Sequence, residues 1–371
     1  MKYTRLRIDI TNKCNLHCAY CHAQTYEGKI LDFKEISKII KEANRLGCRQ
    51  FSLLGGEPFM NPFLFDIVSL CRGEVFISTN GHFFTEENIQ KIQQHKNITR
   101  FRVSLDGTKN HNLLRRGSDY KKVLEGIKLV KKEIPRMIIE VRTAINRLSY
   151  LELMELYEFL KEAKVDRWKL IPLWVKGRTK KESSFLLGLE DLEMVFEVYK
   201  KLLVKYFKEN KPMALQIYNV YNSDLENADY ENFDINVHPC SYALDRIVID
   251  CAGGIMFCPL MDLKFGDYRD FPNLKEALNN KSLAAYRKLR IKDLSCKNCR
   301  YLYLCGGGCR ANSLAYLGDL KQVDPIACIH YSLLEKEILP ILPRKLSAKI
   351  KKLINTKGDF PNPNWERSER R

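Results

Sequence analysis

The clearest indication of the architecture is the N-terminal segment Arg5-Leu6-Arg7-Ile8-Asp9-Ile10-Thr11-Asn12-Lys13-Cys14-Asn15-Leu16-His17-Cys18-Ala19-Tyr20-Cys21. Its first six residues alternate in type and predict a β-strand. Three cysteines follow with the spacing Cys-x3-Cys-x2-Cys, in the loop at the C-terminal end of that strand. Three thiolates on one short loop can hold a metal centre and leave one coordination position open, which indicates chemistry at the metal. A zinc site would need a fourth ligand, and His17 and His22 lie too close in the loop to complete a tetrahedron easily.

The first half of the chain alternates short apolar segments with amphipathic ones, about 25–35 residues per pair, as repeated βαβ units do. The predicted strands are Arg5–Ile10, Gln50–Leu54, Val75–Thr79, Arg100–Leu105, Ile138–Thr143 and Arg167–Pro172. The predicted helices are Asp32–Leu46, Pro62–Cys71, Thr85–Gln94, Tyr120–Glu133 and Ser149–Glu162. These six units predict a parallel α/β sheet, open or curled into part of a barrel, with its site at the C-terminal ends of the strands.

The second half of the chain has a different character. Leu189–Lys208 has helical spacing, and residues 219–238 are polar without a clear period, which is typical of a linker. Strands at Arg246–Ile249 and Ile255–Cys258 predict a hairpin, and a helix near Asn273–Arg290 follows. A cysteine-dense, glycine-rich segment comes next, and then a basic amphipathic helix near Leu333–Ile354 and a polar tail.

Composition excludes several classes of protein. Of 371 residues, 45% are hydrophobic and 29% charged, so the chain as a whole is not disordered. No apolar run approaches the length of a membrane span, and the charged N-terminus does not resemble a signal peptide, so we expect a cytoplasmic protein. The net charge of +17 favours anionic partners, but no pattern of aromatic and basic residues supports nucleic-acid binding. We interpret the basic side chains of the tail, including Lys345, Lys349, Lys351, Lys352 and Lys357, as a solvated face.

The 13 cysteines are unevenly distributed. In a reducing compartment, clustered cysteines are more often metal ligands than disulfides. Eight of them lie between Cys240 and Cys328. Within that group, Cys296, Cys299, Cys305 and Cys309 alone would also suit a zinc ribbon. Cys48 and Cys71 lie among apolar neighbours in predicted helices or beside them, and we interpret them as small buried hydrophobic residues.

The first half of the chain resembles the radical S-adenosylmethionine (radical SAM) superfamily. The resemblance depends on the three-cysteine loop after the first strand and on motifs at successive strand ends: Gly55-Gly56-Glu57-Pro58, Ser78-Thr79-Asn80-Gly81 and Ser104-Leu105-Asp106-Gly107. It implies a partial (β/α)6 TIM-like barrel. In such a barrel Cys14, Cys18 and Cys21 would hold three irons of a [4Fe–4S] cluster, and the fourth iron would bind SAM. The resemblance also implies cofactor contacts from Gly55, Gly56, Glu57 and Pro58 to the methionine amino group, from Asn80 and Ser104 near the ribose, and from Arg115, or alternatively Arg116, to the carboxylate.

The cysteines of the second half resemble the SPASM domain, a small cysteine-rich α+β extension of many radical SAM enzymes that binds two auxiliary [4Fe–4S] clusters. The resemblance implies that Cys296, Cys299, Cys305 and Cys328 ligate one cluster, and that Cys240, Cys258 and Cys309 supply three ligands of the other. Three alternatives remain for the fourth ligand position of the cluster held by Cys240, Cys258 and Cys309. The position is vacant, it is occupied by substrate, or it is occupied by a residue such as Asp245. Cys251 lies at the tip of the predicted hairpin, roughly 16 Å along the return strand from Cys258, so we interpret it as a turn residue.

This interpretation divides the chain into a radical SAM barrel (1–210), a linker (211–237), a SPASM domain (238–342) and a basic C-terminal helix and tail (343–371). The resemblance implies reductive cleavage of SAM to a 5′-deoxyadenosyl radical, which abstracts a hydrogen atom from the substrate. Enzymes of this subclass mostly act on ribosomally made peptides or proteins, and a minority act on small molecules such as aminocyclitols. A flavodoxin- or ferredoxin-type protein would donate the electron.

The first barrel strand begins near residue 5, so we expect no peptide-recognition domain before it. A separate leader-recognition protein would then supply that function, unless the substrate is short or is not a peptide. A non-catalytic metal-binding module is the third hypothesis, and the intact first motif argues against it. The sequence identifies no catalytic acid or base, although Tyr242, Asp245 and Asp262 lie near the auxiliary ligands in sequence.

Overall fold

The computed structural model describes residues 3–22, 29–180, 183–225, 233–240, 245–261, 263–355 and 358. Tyr242, Asp262 and Lys357 lie outside the described residues, as does most of the predicted tail.

The central feature is an 11-stranded sheet with the order β10-β9-β8-β7-β5-β4-β3-β1-β11-β12-β13, accompanied by a two-stranded ribbon of β2 and β6. The strands are β1 Arg5–Asp9, β2 His17–Cys18, β3 Gln50–Leu54, β4 Glu74–Thr79, β5 Ile98–Ser104, β6 Arg115–Arg116, β7 Ile138–Ile145, β8 Arg167–Pro172, β9 Ala214–Ile217, β10 Tyr221–Asn222, β11 Arg246–Ile249, β12 Gly254–Met256 and β13 Lys264–Asp267. The six predicted strands are neighbours in the sheet and all run parallel, which confirms the predicted α/β class.

The five helices predicted between the barrel strands are present, and the described part of the chain contains further helices. Together they are α1 Phe33–Arg45, α2 Leu64–Leu70, α3 Glu86–Gln94, α4 His111–Leu114, α5 Tyr120–Glu133, α6 Leu153–Glu162, α7 Leu189–Lys208, α8 Leu274–Leu278, α9 Lys281–Tyr286, α10 Leu302–Cys305, α11 Arg310–Leu317, α12 Pro325–Leu333 and α13 Arg344–Lys352. Local chemistry sets their ends: Asp32 and Glu35 form a reciprocal capping box at the start of α1.

The two faces of the sheet differ in chemistry. One face is apolar and packs against the helices through residues such as Ile8, Phe51, Ile77 and Val103, all fully buried. We call the opposite face the inner face. It carries side chains that alternate with the apolar ones along each strand: Arg7, Ser52, Phe76, Ser78, Arg100, Arg102, Ser104, Glu140, Arg142, Arg167 and Lys169.

Two of the predicted helices are interrupted. The helix predicted over Asn273–Arg290 is two short helices, α8 and α9, because Asn279 ends the first and the Asn280 side chain caps the second by accepting from the Leu283 N–H at 2.9 Å. The helix predicted over Leu333–Ile354 is broken near Pro340 and Pro343, whose rings cannot continue it. It consists of a π-helical turn, a 3₁₀ turn and α13.

The sheet also extends beyond the predicted barrel. The hairpin forms as expected, with Ile249 opposite Ile255, but its first strand, β11, pairs in parallel with β1. The segment 211–237, predicted as a linker, contains β9, which pairs in parallel with β8. Strands from three of the four predicted segments therefore share one sheet. Among the described residues, no helix is both long and apolar enough to cross a membrane.

Candidate functional site

The three-cysteine loop lies at the C-terminal end of β1, and a short ribbon holds it in place. Its residues His17 and Cys18 form β2, which pairs antiparallel with β6 so that Cys18 lies opposite Arg115. The Leu16 backbone N–H donates to Cys14 Sγ at 3.4 Å. Burial raises the pKa of Cys14 to about 11, so its thiolate needs a positive partner such as iron.

Gly55 and Gly56 bring the end of β3 against this loop. The Gly56 N–H donates to Thr11 O and the Glu57 N–H to Lys13 O, both at 2.8 Å. Gly55 has φ +135°, and a Cβ on Gly56 would lie 2.1 Å from Lys13 O. Only glycine permits this approach, so the pair fixes the backbone that leads into Cys14.

Glu57 links the ends of β3 and β4 from a buried position. Its carboxylate accepts from the Thr79 hydroxyl and the Asn80 N–H, both at 2.8 Å, and from the Phe59 N–H at 3.3 Å. Burial raises its pKa to about 7. The Asn80 side chain in turn donates to Asn15 Oδ1 in the cysteine loop at 2.7 Å. Glu57 and Asn80 are thus brought together beside Cys14, and Pro58 begins the 3₁₀ turn Pro58–Met60 that follows.

Arg115 lies at the opposite side of the same loop. Its Nε donates to Asp106 Oδ2 at 2.7 Å, and its Nη1 lies 3.9 Å from Cys18 Sγ. Tyr20, in the cysteine loop, also donates to Asp106. Arg116 is exposed, so Arg115 is the arginine of this pair that faces the loop. Ser104 ends β5 on the inner face.

Sequence reasoning missed the turn after β8. Arg178 donates from its backbone N–H to Cys21 O at 3.1 Å and from Nη1 to Cys18 O at 2.8 Å. Lys176, which is buried, donates to Pro259 O at 2.6 Å, next to Cys258. One turn therefore contacts both the first cysteine loop and the segment that directly follows Cys258. Its position at the C-terminal end of a parallel strand was the available signal.

Four cysteines of the second half line one small pocket. Its lining includes Cys296, Cys299, Cys305, Cys328 and also Asp324, Tyr301 and Tyr331. Burial raises the pKa of Cys328 to about 12, and the nearby thiols of Cys299 and Cys296 contribute to the rise. The Tyr301 N–H donates to Cys299 Sγ at 3.4 Å.

Three other cysteines lie together nearby. Burial raises the pKa of Cys258 to about 12, and the charges of Cys309 and Cys240 add to this effect. The Leu260 N–H donates to Cys258 Sγ at 3.4 Å. Cys305 and Cys309 are separated by Gly306-Gly307-Gly308, all with left-handed φ between +64° and +94°. This turn directs two cysteines four residues apart to different groups.

The remaining sequence candidates have other surroundings. Cys251 is fully buried, and its charged neighbours are Asp9, Asp250 and Lys264 rather than the other cysteines. Asp245 accepts from the Thr4 hydroxyl at 2.5 Å and lies 3.6 Å from Arg5 Nε. Cys48 and Cys71 are buried in the helix-side core, as predicted.

The donors present, thiols that accept from backbone N–H groups, fit iron–sulfur clusters. Within the described part of the chain, no three His, Cys, Asp or Glu side chains are arranged to hold one metal ion. Backbone N–H donors to Sγ are typical of iron–sulfur sites. Arg310 is 1% exposed and donates to Leu320 O and Gln322 O at 2.7 Å. Its charge lowers the pKa of both Cys296 and Cys328, against the larger effect of burial, as a cation beneath anionic clusters would.

Comparison with known proteins identifies the class. Residues 8–160, which run from β1 into α6 and include the three-cysteine loop, match the Radical SAM superfamily model. This part of the chain is therefore a radical SAM domain. The Radical SAM superfamily is one of enzymes, and it uses SAM and a [4Fe–4S] cluster.

Curated relatives with different activities match the chain. An AdoMet-dependent heme synthase of Methanosarcina barkeri is 24% identical over 351 residues, which are 87% of this chain and 95% of the relative. A probable GTP 3′,8-cyclase of Methanococcus maripaludis is 36% identical over 154 residues, 39% of this chain and 48% of the relative.

Solved structures share the fold over most of the chain. The anaerobic sulfatase-maturating enzyme anSMEcpe, solved with AdoMet and a peptide, superposes with a TM-score of 0.73 at 19% identity, covering 94% of this chain and 99% of that one. SuiB of Streptococcus suis, bound to its precursor peptide SuiA, gives a TM-score of 0.68 at 18% identity, covering 88% of this chain and 76% of SuiB. These similarities confirm the partial-barrel fold.

Proposed function

We propose that this radical SAM enzyme holds three [4Fe–4S] clusters and modifies a side chain of a peptide or protein. The observation that carries the proposal is the grouping of ten cysteines into three sets, one at the strand ends of the radical SAM domain and two in the C-terminal region. The sets are Cys14, Cys18 and Cys21; Cys296, Cys299, Cys305 and Cys328; and Cys240, Cys258 and Cys309.

The residues of the first site would divide the work as follows. Cys14, Cys18 and Cys21 would ligate the cluster, which together with bound SAM supplies an organic radical able to remove a hydrogen atom. Glu57 and Asn80 hold the ends of β3 and β4 against the cysteine loop and so set the position of the cofactor. Arg115 would face the SAM carboxylate while Asp106 keeps its guanidinium in place.

The C-terminal sets would carry electrons away from the substrate. Cys296, Cys299, Cys305 and Cys328 provide a full ligand set, whereas Cys240, Cys258 and Cys309 provide three ligands. Arg178 and Lys176 connect the first cysteine loop with the region of Cys258, which keeps the two sites at a constant separation. A flavodoxin- or ferredoxin-type protein would reduce the first cluster.

Iron content and SAM cleavage test the assignment of the clusters. We would measure iron, zinc and 5′-deoxyadenosine in anaerobically reconstituted protein and in one variant for each set: Cys14/Cys18/Cys21→Ala, Cys299/Cys328→Ala and Cys240/Cys309→Ala. We expect about twelve irons in the wild type and about eight in each variant, at four irons per cluster. The proposal predicts loss of 5′-deoxyadenosine formation only for the Cys14/Cys18/Cys21→Ala variant. About four irons with zinc in the remainder would overturn the three-cluster proposal.

Two structural neighbours were solved with peptides bound, which supports the peptide as substrate. The second candidate substrate is a small molecule. The match to a heme synthase, which extends along 87% of this chain, supports this alternative. Incubation with SAM, a reduced donor and peptides from neighbouring small reading frames should change the mass of one peptide. A peptide-independent turnover of a small molecule would favour the second candidate.

A further inference from the structure

The inner face of the sheet contains a cluster of cations around one buried carboxylate. Glu140, on β7, is 0% exposed. Five positively charged side chains from β5, β7 and β8 lie within 4 Å of its oxygens, and we call them the cationic cluster. The shortest distances are 3.4 Å for Arg100, 3.8 Å for Arg102, 2.7 Å for Arg142, 3.9 Å for Arg167 and 3.6 Å for Lys169.

The charges of this cluster do not balance. Arg167 also pairs with Asp224, so the five cations and two carboxylates carry a net charge of +3. Burial lowers the pKa of Lys169; Glu140 opposes the shift, and the neighbouring Arg142 adds to it. Uncompensated positive charge in a partly buried site is costly, and an anion would relieve it.

Two members of the cluster have donors that make no hydrogen bond among the described residues. Arg142 uses Nε for its hydrogen bond to Glu140, and among the described residues nothing accepts from its two Nη nitrogens. The Lys169 ammonium has no acceptor within hydrogen-bond distance in the described part of the chain, since Glu140 lies at 3.6 Å. Their side chains are 30% and 23% exposed, so both reach solvent on the inner face.

These donors lie close to the candidate SAM site. Arg142 and Lys169 are paired in register across β7 and β8, so their Cβ atoms are neighbours on one face. Ser104, predicted to lie near the ribose, pairs in register with Arg142 on its other side. A ligand bound by the two cations would therefore lie beside the residue that we expect to contact the cofactor.

We propose that Arg142 and Lys169 bind a carboxylate of the substrate and place the neighbouring carbon atoms beside the cofactor. This inference rests on the proposed function and specifies the chemistry of the substrate for it. Glu140 shows that these cations can bind a carboxylate, because one already lies among them. The guanidinium of an arginine can bind another carboxylate through two parallel hydrogen bonds. The carboxylate would come from an acidic side chain of a peptide or from a small organic acid.

Binding of carboxylate probes to the reconstituted holoenzyme tests the inference. We would titrate glutarate, acetyl-Gly-Glu-Gly-Glu-Gly-amide, its Gln-containing counterpart and inorganic phosphate at constant ionic strength by calorimetry. We expect the Glu peptide to bind at least tenfold more tightly than the Gln peptide. Arg142→Gln and Lys169→Gln should each weaken carboxylate binding at least tenfold, whereas Lys132→Gln, on the exposed face of α5, should leave it unchanged.

The relative affinities of the probes show whether the bound carboxylate comes from a peptide or from a small organic acid. Tighter binding of the Glu peptide than of glutarate assigns a peptide carboxylate, and the reverse assigns a small acid. Equal binding of all probes by the wild type and both variants, or tighter binding of phosphate, would overturn the inference. So would competition of glutarate with saturating SAM, because the site would then belong to the SAM carboxylate.

A variant that removes the negative charge of the cluster, instead of one of its positive charges, gives a second measurement. Glu140→Gln removes the carboxylate that competes for the cations, and we expect at least fivefold tighter binding of glutarate. Unchanged or weaker binding by a folded Glu140→Gln protein would count against the inference. SAM cleavage is measured separately in the same wild-type preparation, so its failure would contradict the proposed function while leaving the binding result intact.

Discussion

Cys251 and Cys258 are two buried cysteines of one hairpin region, and they have different neighbours. Cys258 lies with Cys240 and Cys309, whereas Cys251 lies near Asp9 and Asp250. Both thiols have a pKa raised to about 12 by burial, so acidity alone does not distinguish a ligand from a packing residue. The neighbours do distinguish them.

We therefore expect Cys258→Ser and Cys251→Ser to differ in iron content. Cys258→Ser should lose about four irons, because an auxiliary cluster loses a ligand, and Cys251→Ser should keep about twelve. Iron analysis and visible absorption of both reconstituted variants give the measurement. Equal iron content in the two variants would contradict the proposed ligand set.

Glu57 should make the stability of the cluster-free protein depend on pH. Its folded pKa is about 7, above the reference value of 4.5, so the folded state holds the proton more tightly than the unfolded state. The stabilisation is then fully present below pH 4.5 and is lost as the pH rises to 7, by about 3 kcal/mol. In Glu57→Gln this loss should disappear. Urea unfolding at pH 4.5 and pH 7 measures the difference, and identical pH profiles for both proteins would contradict the prediction.

At the scale of elements, the contact between the end of β3 and the cysteine loop depends on the size of one residue. Gly56→Ala would place a Cβ 2.1 Å from Lys13 O, where backbone must move. We expect a loss of about 3 kcal/mol in stability and of about four irons, because the loop that carries Cys14 shifts.

Gly318→Ala provides the matched control. Gly318 has φ +73°, but a Cβ at this position would meet no atom within 4 Å among the described residues. Gly318→Ala should therefore lower the free energy of unfolding by only about 1 kcal/mol, through backbone strain, and should leave the iron content unchanged. Chemical denaturation and iron analysis compare the two variants. If both retain about twelve irons, the β3 end does not position the cluster loop.

Prediction of the elements succeeded where apolar periodicity was long and failed where capping residues interrupted it. Tyr120–Glu133 and Leu189–Lys208 have the predicted bounds because each has a continuous apolar face. Asn279 and Asn280 lie inside a continuing apolar pattern, but adjacent end and cap residues favour two short helices over one long one.

At the scale of the whole molecule, the sheet crosses the predicted domain boundary. β1 lies between β3 and β11, and β8 lies between β7 and β9. A fragment that ends at residue 210 would lack both β9 and β11 and would expose two edges of a parallel sheet, which promote aggregation.

We therefore expect the fragment 1–210 to be insoluble or to lack a cooperative unfolding transition, although the sequence suggested it as a domain. Solubility, size-exclusion chromatography and urea unfolding of the fragment and the full chain provide the test. A soluble monomeric fragment with cooperative unfolding would show that β9 and β11 are dispensable for the barrel.

The sequence by itself determined the parallel α/β class, the order of the six barrel strands and the radical SAM domain. These features depend on local periodicity and on short motifs, since residues that are close in sequence lie at one strand end. Cys14 was accessible in the same way, because it lies in the loop after a predicted strand, whereas Glu57, Asn80 and Arg115 came from the resemblance to the radical SAM superfamily.

Only the tertiary structure decided which distant residues share a site. The pairing of β11 with β1, the contact of Arg178 with the cysteine loop and the five cations around Glu140 all join segments far apart in the chain. Alternation along β5, β7 and β8 places charged residues on one face, but their convergence on one carboxylate requires the register between strands. Register depends on the packing of the whole sheet, and no single segment encodes it.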